Sequence, residues 1–267
     1  MSLFKRRSPP PPPAAKPPVP EPAAAPEPLA TPAEERRRAR RFTLQPEFPL
    51  KAVLSYVGRD DTGAPVSTSR HGWHWKGRLI DCSELGARMQ LGHAMPAVVG
   101  ETCDLRLTDG DFELVVPCHV THLRETPEGL VLGLRHDITD PATLQEYKRL
   151  VELAALSSTL RLRTRTPKPD DSGYFVERYG SNRPASLTVW RHPANSAVAA
   201  FEFILKDCLV RVVHGREIEY FAGDARGSSP ATSMRSMEIH RLFRWVVPNL
   251  PPAIPDDVRA FLRHHAD

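Results

Sequence analysis

Five arginines lie within residues 36–41, which read RRRARR directly before Phe42. Two arginines spaced RxxxR present two planar guanidinium groups. These groups can grip phosphate oxygens bidentately, bond the O6 and N7 edge of guanine, or stack on a base. Lysine lacks this planar fork of donors. Two registers fit the spacing, Arg37 with Arg41 and Arg36 with Arg40.

A second group of polar residues, Asp81, Ser83 and Gly86, has the form D-x-S-x-x-G between two apolar runs. A strand would point Asp81 and Ser83 to one face, and the glycine would permit a close backbone approach. Together with the arginines, this face favours a pocket for a guanine-bearing phosphate ligand. The plainer alternative is a solvated arginine run beside an ordinary strand-to-turn segment, in which Asp and Ser bond local backbone.

In type and order the two motifs resemble the PilZ domain family of bacterial cyclic di-GMP receptors. The family pattern is RxxxR before a small β-barrel, with [D/N]xSxxG on a barrel strand. The resemblance covers roughly residues 35–156, and the segment Gly129–Arg135 is similar to the closing barrel strand. About forty residues separate the motifs, more than is usual in the family, and the turn-rich segment 58–72 holds the excess.

The resemblance implies a ligand-binding role for a defined set of residues. Phe42 favours the register Arg37-x-x-x-Arg41, because an aromatic or apolar residue commonly follows the second arginine in the family. In the family, an arginine just before the first motif arginine accompanies uptake of a stacked ligand dimer, and Arg36 holds that position. The implied cyclic di-GMP site is Arg37, Arg41, Asp81, Ser83 and Gly86, with Arg36 and Arg40 as secondary candidates.

Residues 1–33 contain twelve of the 28 prolines and almost no large apolar side chain, which predicts a disordered tail biased toward polyproline II. Residues 34–157 hold six short strand-like runs and a helix beginning at Asp140-Pro141, which predicts a small antiparallel PilZ-like barrel with a C-terminal helix. Residues 158–173 are read as a linker or a short edge strand. Residues 174–267 predict a small α+β domain of no recognised family.

The strand predictions for the barrel are 51–57, 73–81, 87–91, 101–107, 112–123 and 129–135. Those for the second unit are 187–190, 197–205, 208–213 and 217–221, followed by helices over 234–247 and 256–265.

The composition narrows the class of protein. No run of eighteen apolar residues and no signal-like start occur in the sequence, which predicts a soluble cytoplasmic protein without membrane insertion. Four dispersed cysteines indicate buried reduced thiols. A net charge of +4 without a long basic face argues against a specific nucleic-acid partner. A nonspecific polyanion binder that uses 36–41 and 161–165 stays open as an alternative.

No catalytic or metal-binding pattern stands out. The chain lacks a nucleophile elbow, a phosphate-cradling glycine loop and an HExxH helix, which predicts no enzyme, no cofactor and no metal. Cys118, His119 and His122 lie close in sequence, but the two-residue period of a strand puts His119 and His122 on opposite faces.

These observations lead to two functional hypotheses. The first is a cyclic di-GMP receptor that converts ligand binding into a conformational or interaction change, with a protein partner acting through residues 174–267. The alternative is a PilZ-like adaptor in motility or secretion machinery that binds no nucleotide.

Overall fold

The computed structural model describes residues 40–59, 65–66, 73–92, 97–213, 215–223 and 229–267. The predicted tail 1–33 and the two arginines Arg36 and Arg37 lie outside these residues. Within the described part, the chain forms an antiparallel barrel, a helix, and then a second antiparallel sheet with two helices.

The barrel has six strands: β2 (Lys51–Tyr56), β5 (His74–Ser83), β6 (Gly86–Leu91), β7 (Thr102–Asp109), β8 (Phe112–Thr126) and β9 (Gly129–His136). They pair in the order β2-β7-β8-β9-β6-β5, and the barrel is closed because β5 pairs with both β2 and β6. The short strand β1 (Phe42–Thr43) pairs with the second half of β5, and β3 (Gly58–Arg59) pairs with β4 (Pro65–Val66) as a separate ribbon. The predicted six-stranded barrel is confirmed, with strand ends that differ from the prediction by at most three residues.

Period-two alternation explains why these segments become barrel strands. In β2 and β7 every second side chain is buried, and these side chains meet inside the barrel. The interior side chains from these two strands are Ala52, Leu54, Tyr56, Cys103, Leu105 and Leu107. The intervening side chains point outward, and this outer surface carries the candidate site.

Helix α1 (Pro141–Ser158) begins where the sequence predicts. Asp140 is its N-cap, and its carboxylate accepts the Thr143 backbone N–H at 2.8 Å. Proline is well suited to the first turn because it has no N–H to lose. Tyr147, Leu150 and Val151 are buried on the face that packs against the barrel.

The second unit is a meander of seven strands with two helices on one face. The strands are β10 (Arg161–Arg165), β11 (Phe175–Gly180), β12 (Ala185–Arg191), β13 (Val198–Leu205), β14 (Cys208–Val213), β15 (Glu219–Ala222) and β16 (Ser229–Pro230). Helix α2 (Ser233–Val246) leads through a 3₁₀ turn (Val247–Asn249) to α3 (Asp256–Ala266). The Phe243 ring on α2 contacts those of Phe201 and Phe203 on β13.

Strands β10, β11 and the two-residue β16 of the second sheet are not among the strand predictions for the second unit. Of the two readings of 158–173, the edge strand is the one observed: β10 forms there and pairs with β11. All five β10 side chains are exposed, so no alternation in the sequence marks it. Strand β11 was not predicted, because a buried charged residue, Glu177, interrupts its apolar pattern. Arg191 on β12 pairs with Glu177 at 3.0 Å.

One continuous hydrophobic core joins the barrel, α1 and the second sheet. Specific polar contacts also cross between the two units. The Trp245 Nε1–H donates to Asp109 at 2.7 Å, and the Gln45 backbone N–H donates to the Asn249 side-chain oxygen at 2.8 Å. Among the described helices, none combines the length and the apolar character that crossing a bilayer requires.

Candidate functional site

The candidate site is centred on the carboxylate of Asp81, on the outer side of strand β5. Asp81 is only 1% exposed, yet it faces away from the barrel interior that Cys82 occupies. One carboxylate oxygen accepts from Arg41 Nη1 at 2.8 Å, and the other accepts from Arg88. A buried carboxylate requires such partners, because an unpaired charge out of water is costly.

Strand β1 brings Arg41 to this carboxylate across forty residues of sequence. Phe42 pairs with Cys82 and Thr43 with Asp81, and the Leu44 backbone N–H donates to the Ile80 carbonyl at 2.8 Å. This pairing fixes the residue before Phe42 beside the D-x-S-x-x-G strand. The structure therefore brings one arginine of the RxxxR motif and the aspartate of the second motif into direct contact.

A row of directly paired residues runs from Asp81 across three neighbouring strands. Asp81 on β5 pairs with Arg88 on β6, Arg88 with Gly133 on β9, and Gly133 with His122 on β8. Side chains in such a row share one face of the sheet. The row therefore aligns a carboxylate, a guanidinium and an imidazole on the outside of the barrel.

Gly133 lets the imidazole of His122 lie flat over the sheet. A Cβ at position 133 would lie 1.8 Å from the His122 ring, so any larger residue would push the ring away. The Gly133 carbonyl accepts from the Thr121 hydroxyl at 3.0 Å, and the same hydroxyl lies 3.2 Å from His122 Nδ1. The ring is thus held in place beside Arg88.

The pKa of His122 is lowered from its ordinary value of 6.5. Partial burial is the main cause, and the positive charges of Arg41 and Arg88 add to it, while the Asp81 carboxylate opposes them. The imidazole is therefore neutral at pH 7. It presents an uncharged aromatic surface next to two guanidinium groups.

The sequence did not reveal His122 as part of this site. A bulge between Val120 and His122 shifts the register of β8, so that His119 faces Arg135 and His122 faces Gly133. Since Gly133 and Arg135 lie two apart on β9, the two histidines share one face. The prediction of opposite faces is wrong. The sequence does contain one signal, which is Gly133 between two leucines in the closing strand. A glycine at such a position indicates that a bulky neighbour lies against the backbone.

Ser83 and Gly86 take structural positions at the β5–β6 hairpin. They are direct cross-strand partners, and the buried Ser83 hydroxyl donates to the Gly86 carbonyl at 3.1 Å. A Cβ at position 86 would lie 2.0 Å from the Leu134 carbonyl oxygen on β9. Gly86 therefore allows the backbone of β6 to lie close to that of β9. Ser83 and Gly86 shape the surface beside Asp81.

The second unit reaches the arginine segment through a turn. The guanidinium carbons of Arg40 and of Arg183, on the β11–β12 turn, lie 5.5 and 5.8 Å from the centroid of the Phe42 ring. The Arg183 contact comes from outside the barrel. The remaining motif arginines, Arg36 and Arg37, lie outside the described residues.

The chemistry available at this surface is binding. Two guanidinium groups can hold phosphate oxygens, the carboxylate can accept from N–H donors, and the imidazole can stack on a base. The thiol of Cys82 lies inside the barrel, where burial raises its pKa to about 12. Among the described residues, no three His, Cys, Asp or Glu side chains come together as a metal site.

A comparison with protein-family models concerns the barrel and the helix that follows it. Residues 35–153 match the family model described as PilZ domain, which confirms the resemblance seen in the sequence for the N-terminal unit. No curated protein matches the chain. One matching solved structure is described as the PilZ domain with c-di-GMP of YcgR from Escherichia coli. It is 15% identical, has a TM-score of 0.33, and covers 45% of this chain and 92% of its own.

Proposed function

We propose that this chain is a receptor for cyclic di-GMP, and that it binds the ligand on the outer surface around Asp81, because residues 35–153 match the family model described as PilZ domain. PilZ domains are binding domains, and the proposal requires no chemical step. The observation that carries it is the contact of Arg41 with Asp81, which joins the two motifs at one point of the surface.

Binding exchanges the partners of Arg41 and Asp81. Guanine presents N–H donors on its Watson–Crick edge, and a carboxylate offers two acceptor oxygens for them. In the ligand-free site these oxygens are taken by Arg41 and Arg88. When the dinucleotide enters, Arg41 turns to a phosphate and leaves one oxygen for the base, while Arg88 keeps the other oxygen neutralised.

His122 gives the guanine a stacking surface. Its ring lies flat over Gly133, in the same cross-strand row as Arg88 and Asp81. A base that bonds Asp81 through its edge can extend along this row over Arg88 and His122. Aromatic side chains and guanidinium planes are common stacking partners of unpaired bases.

The arginines before Arg41 complete the grip on the ligand. Arg37 is the expected partner of Arg41 on the phosphates, and Arg40 is a secondary donor. Arg36 is expected to favour a second, stacked ligand molecule, as the family pattern implies. Arg36, Arg37, Arg40 and Arg41 together supply enough positive charge for two dinucleotides, each with two phosphates.

Strand β1 couples the ligand site to the second unit. Phe42 contacts Arg183, and three residues further on the Gln45 backbone N–H bonds Asn249. A change at Arg41 on binding therefore acts on a strand attached to the second unit at two points. This attachment converts ligand binding into a change of the surface that residues 174–267 offer to a protein partner.

Calorimetry on the full chain tests the proposal, with cyclic di-GMP as the ligand and GTP and cyclic di-AMP as controls. We expect saturable binding selective for cyclic di-GMP, and two ligands per chain if Arg36 acts as proposed. Arg37→Ala and Arg41→Ala are expected to abolish the heat, whereas Arg106→Ala is expected to leave it unchanged. Arg106 is a matched control because it lies on β7, half exposed, and pairs with Glu113.

The adaptor function is the second candidate, and one observation favours it. Both oxygens of Asp81 and the hydroxyl of Ser83 already have protein partners, as expected of a site that needs no ligand. The adaptor predicts no heat with cyclic di-GMP, and partners that co-purify equally with and without nucleotide. Wild-type affinity in both Arg37→Ala and Arg41→Ala would refute the receptor site as assigned.

A further inference from the structure

On one face of the second sheet no described helix packs, and this face carries a groove. Helix α2 packs on the face that carries Phe201 and Phe203. On the opposite face, Trp190, Ala200 and Val213 are direct neighbours in one cross-strand row. The small Ala200 side chain leaves a depression between the indole and Val213, which is 41% exposed.

The depression is part of a cleft of about 420 Å³. Ser172 and Tyr174, from the segment before β11, line it at one end. The Tyr174 ring is held against the His192 ring, with centroids 5.2 Å apart. The cleft is therefore bordered by two aromatic side chains, Trp190 and Tyr174, with the small Ala200 between the strands at its base.

The polar groups of this cleft suit an extended backbone rather than a charged ligand. Glu202 and Arg211 pair with each other at 2.8 Å, so their charges largely cancel. The Trp190 indole N–H and the Tyr174 hydroxyl make no hydrogen bond to other described residues. A polyproline II segment has no internal hydrogen bonds, and aromatic grooves with such donors recognise it through its rings and carbonyls.

The chain itself contains a segment of this chemistry. Prolines occupy positions 9–13, 17, 18 and 20, within the stretch 9–20. The stretch carries a single charge, Lys16, in keeping with the nearly neutral cleft.

The described chain starts at Arg40, against Phe42 and close to the β11–β12 turn. Trp190 lies further along β12 from that turn, about 17 Å at roughly 3.4 Å per residue. Twenty residues connect residue 20 to residue 40 and could reach up to about 60 Å at ~3.1 Å per residue, which is enough to reach the cleft.

We propose that residues 9–20 dock as a polyproline II segment in the Trp190 groove of the same chain. The inference stands apart from the proposed receptor function, because none of the groove residues belongs to the Asp81 site. Docking would fix the end of a tail whose other end carries the motif arginines. It would also cover the apolar groove on the sheet face that no described helix covers.

Paramagnetic broadening in the full chain tests the docking. A nitroxide attached through Ala14→Cys labels the tail selectively, because Cys82, Cys103, Cys118 and Cys208 are all buried. The readout is the indole N–H resonance of Trp190, assigned by its loss in Trp190→Phe. We expect at least twofold loss of intensity at Trp190 and little at Trp245, which faces the barrel through its bond to Asp109.

Controls separate this proposal from its alternatives. Serine at the eight prolines of 9–20 should restore the Trp190 signal, whereas serine at Pro22, Pro26, Pro28 and Pro32 should not. Ala200→Ile, which fills the groove, should also restore it. Equal Trp190 intensity with oxidised and reduced label would overturn the proposal. A mixing experiment gives a second test, in which nitroxide-labelled chains without ¹⁵N are mixed with ¹⁵N chains that carry no nitroxide. Broadening at Trp190 in this mixture would also overturn the proposal, because it would show docking between two copies of the chain.

Discussion

Arg41 and Asp81 form an ion pair between the two motifs, with Nη1 and Oδ1 2.8 Å apart. The carboxylate is 1% exposed and the arginine side chain 43% exposed, so the pair lies at the boundary between protein and solvent. Arg88 approaches the same carboxylate from the other side. The two arginines thus share one buried negative charge. Without that carboxylate, their positive charges would repel each other.

Asp81→Ala is expected to lower the free energy of unfolding by about 1–3 kcal/mol, because two guanidinium groups then face each other without their carboxylate. Half exposure of both arginines keeps the loss below that of a fully buried pair. Denaturant unfolding measures it. Glu113→Ala is the matched control, since it breaks a 2.8 Å pair with Arg106 in which both side chains are about half exposed. That exposed pair is expected to contribute about 0–1 kcal/mol, and equal losses in the two variants would contradict the role given to Asp81.

Gly86→Ala is expected to destabilise the barrel by about 2 kcal/mol or more, since the new Cβ would lie 2.0 Å from the Leu134 carbonyl oxygen. Gly92→Ala is the matched control, because no atom lies within 4 Å of a Cβ there. Thermal unfolding compares the two. If cyclic di-GMP binding also weakens in Gly86→Ala, we attribute it to distortion of the β5–β6 hairpin. Stability equal to that of Gly92→Ala would refute the packing role.

The sequence predicts those parts of the fold that repeat a pattern. Alternation identifies the barrel strands, and the Asp140-Pro141 pair identifies the start of α1 correctly. Strands that are held mainly by backbone hydrogen bonds show no alternation of apolar and polar residues in the sequence. Examples are β1, which has two residues, and β10, whose side chains are all exposed. Strand β1 matters for the site, because it positions Arg41.

The site is predictable to the extent that it is local in sequence. Motif spacing identifies Asp81 and Arg41, and the structure brings these two into contact. His122 joins them only through a bulge in β8 and a glycine opposite it on β9. The contact between Arg183 and Phe42 depends on how two units pack together. No short-range pattern encodes these relationships.

Cyclic di-GMP affinity is expected to rise as the pH falls through the range below 6.5 in which His122 titrates. The pKa of free His122 is lowered, chiefly by burial and further by Arg41 and Arg88. Bound phosphates would offset those positive charges and raise this pKa, so binding takes up protons. Calorimetry between pH 5 and 8 and NMR titration of the His122 ring measure the effect.

In the absence of ligand, the free energy of unfolding is expected to fall as the pH falls, whereas ligand affinity rises. Because the folded-state pKa of His122 lies below the unfolded one, its contribution is present above about pH 6.5 and is lost as the pH falls. His122→Gln should remove the pH dependence of affinity and reduce that of stability, to which His240 and His265 also contribute because their pKa values are lowered by burial. His119→Gln, on the same strand but bonded to Asp137 at 2.7 Å, should remove neither. An unchanged pH profile of affinity in His122→Gln would show that the imidazole does not contact the ligand.

Arg183→Ala is expected to uncouple the second unit from the ligand site while leaving binding nearly intact. The Arg183 guanidinium contacts the Phe42 ring, and such a contact contributes about 0.5–1 kcal/mol. In the wild type, cyclic di-GMP should change the hydrogen–deuterium exchange of the turn 181–184, whose Arg183 N–H bonds the Ser181 hydroxyl at 2.9 Å. In Arg183→Ala this change should disappear, with affinity altered by less than about threefold.

The matched control is Arg178→Ala, which changes an exposed arginine on the preceding strand and should behave as wild type. An undiminished exchange response in Arg183→Ala would place the coupling elsewhere, for example at the bond between Gln45 and Asn249.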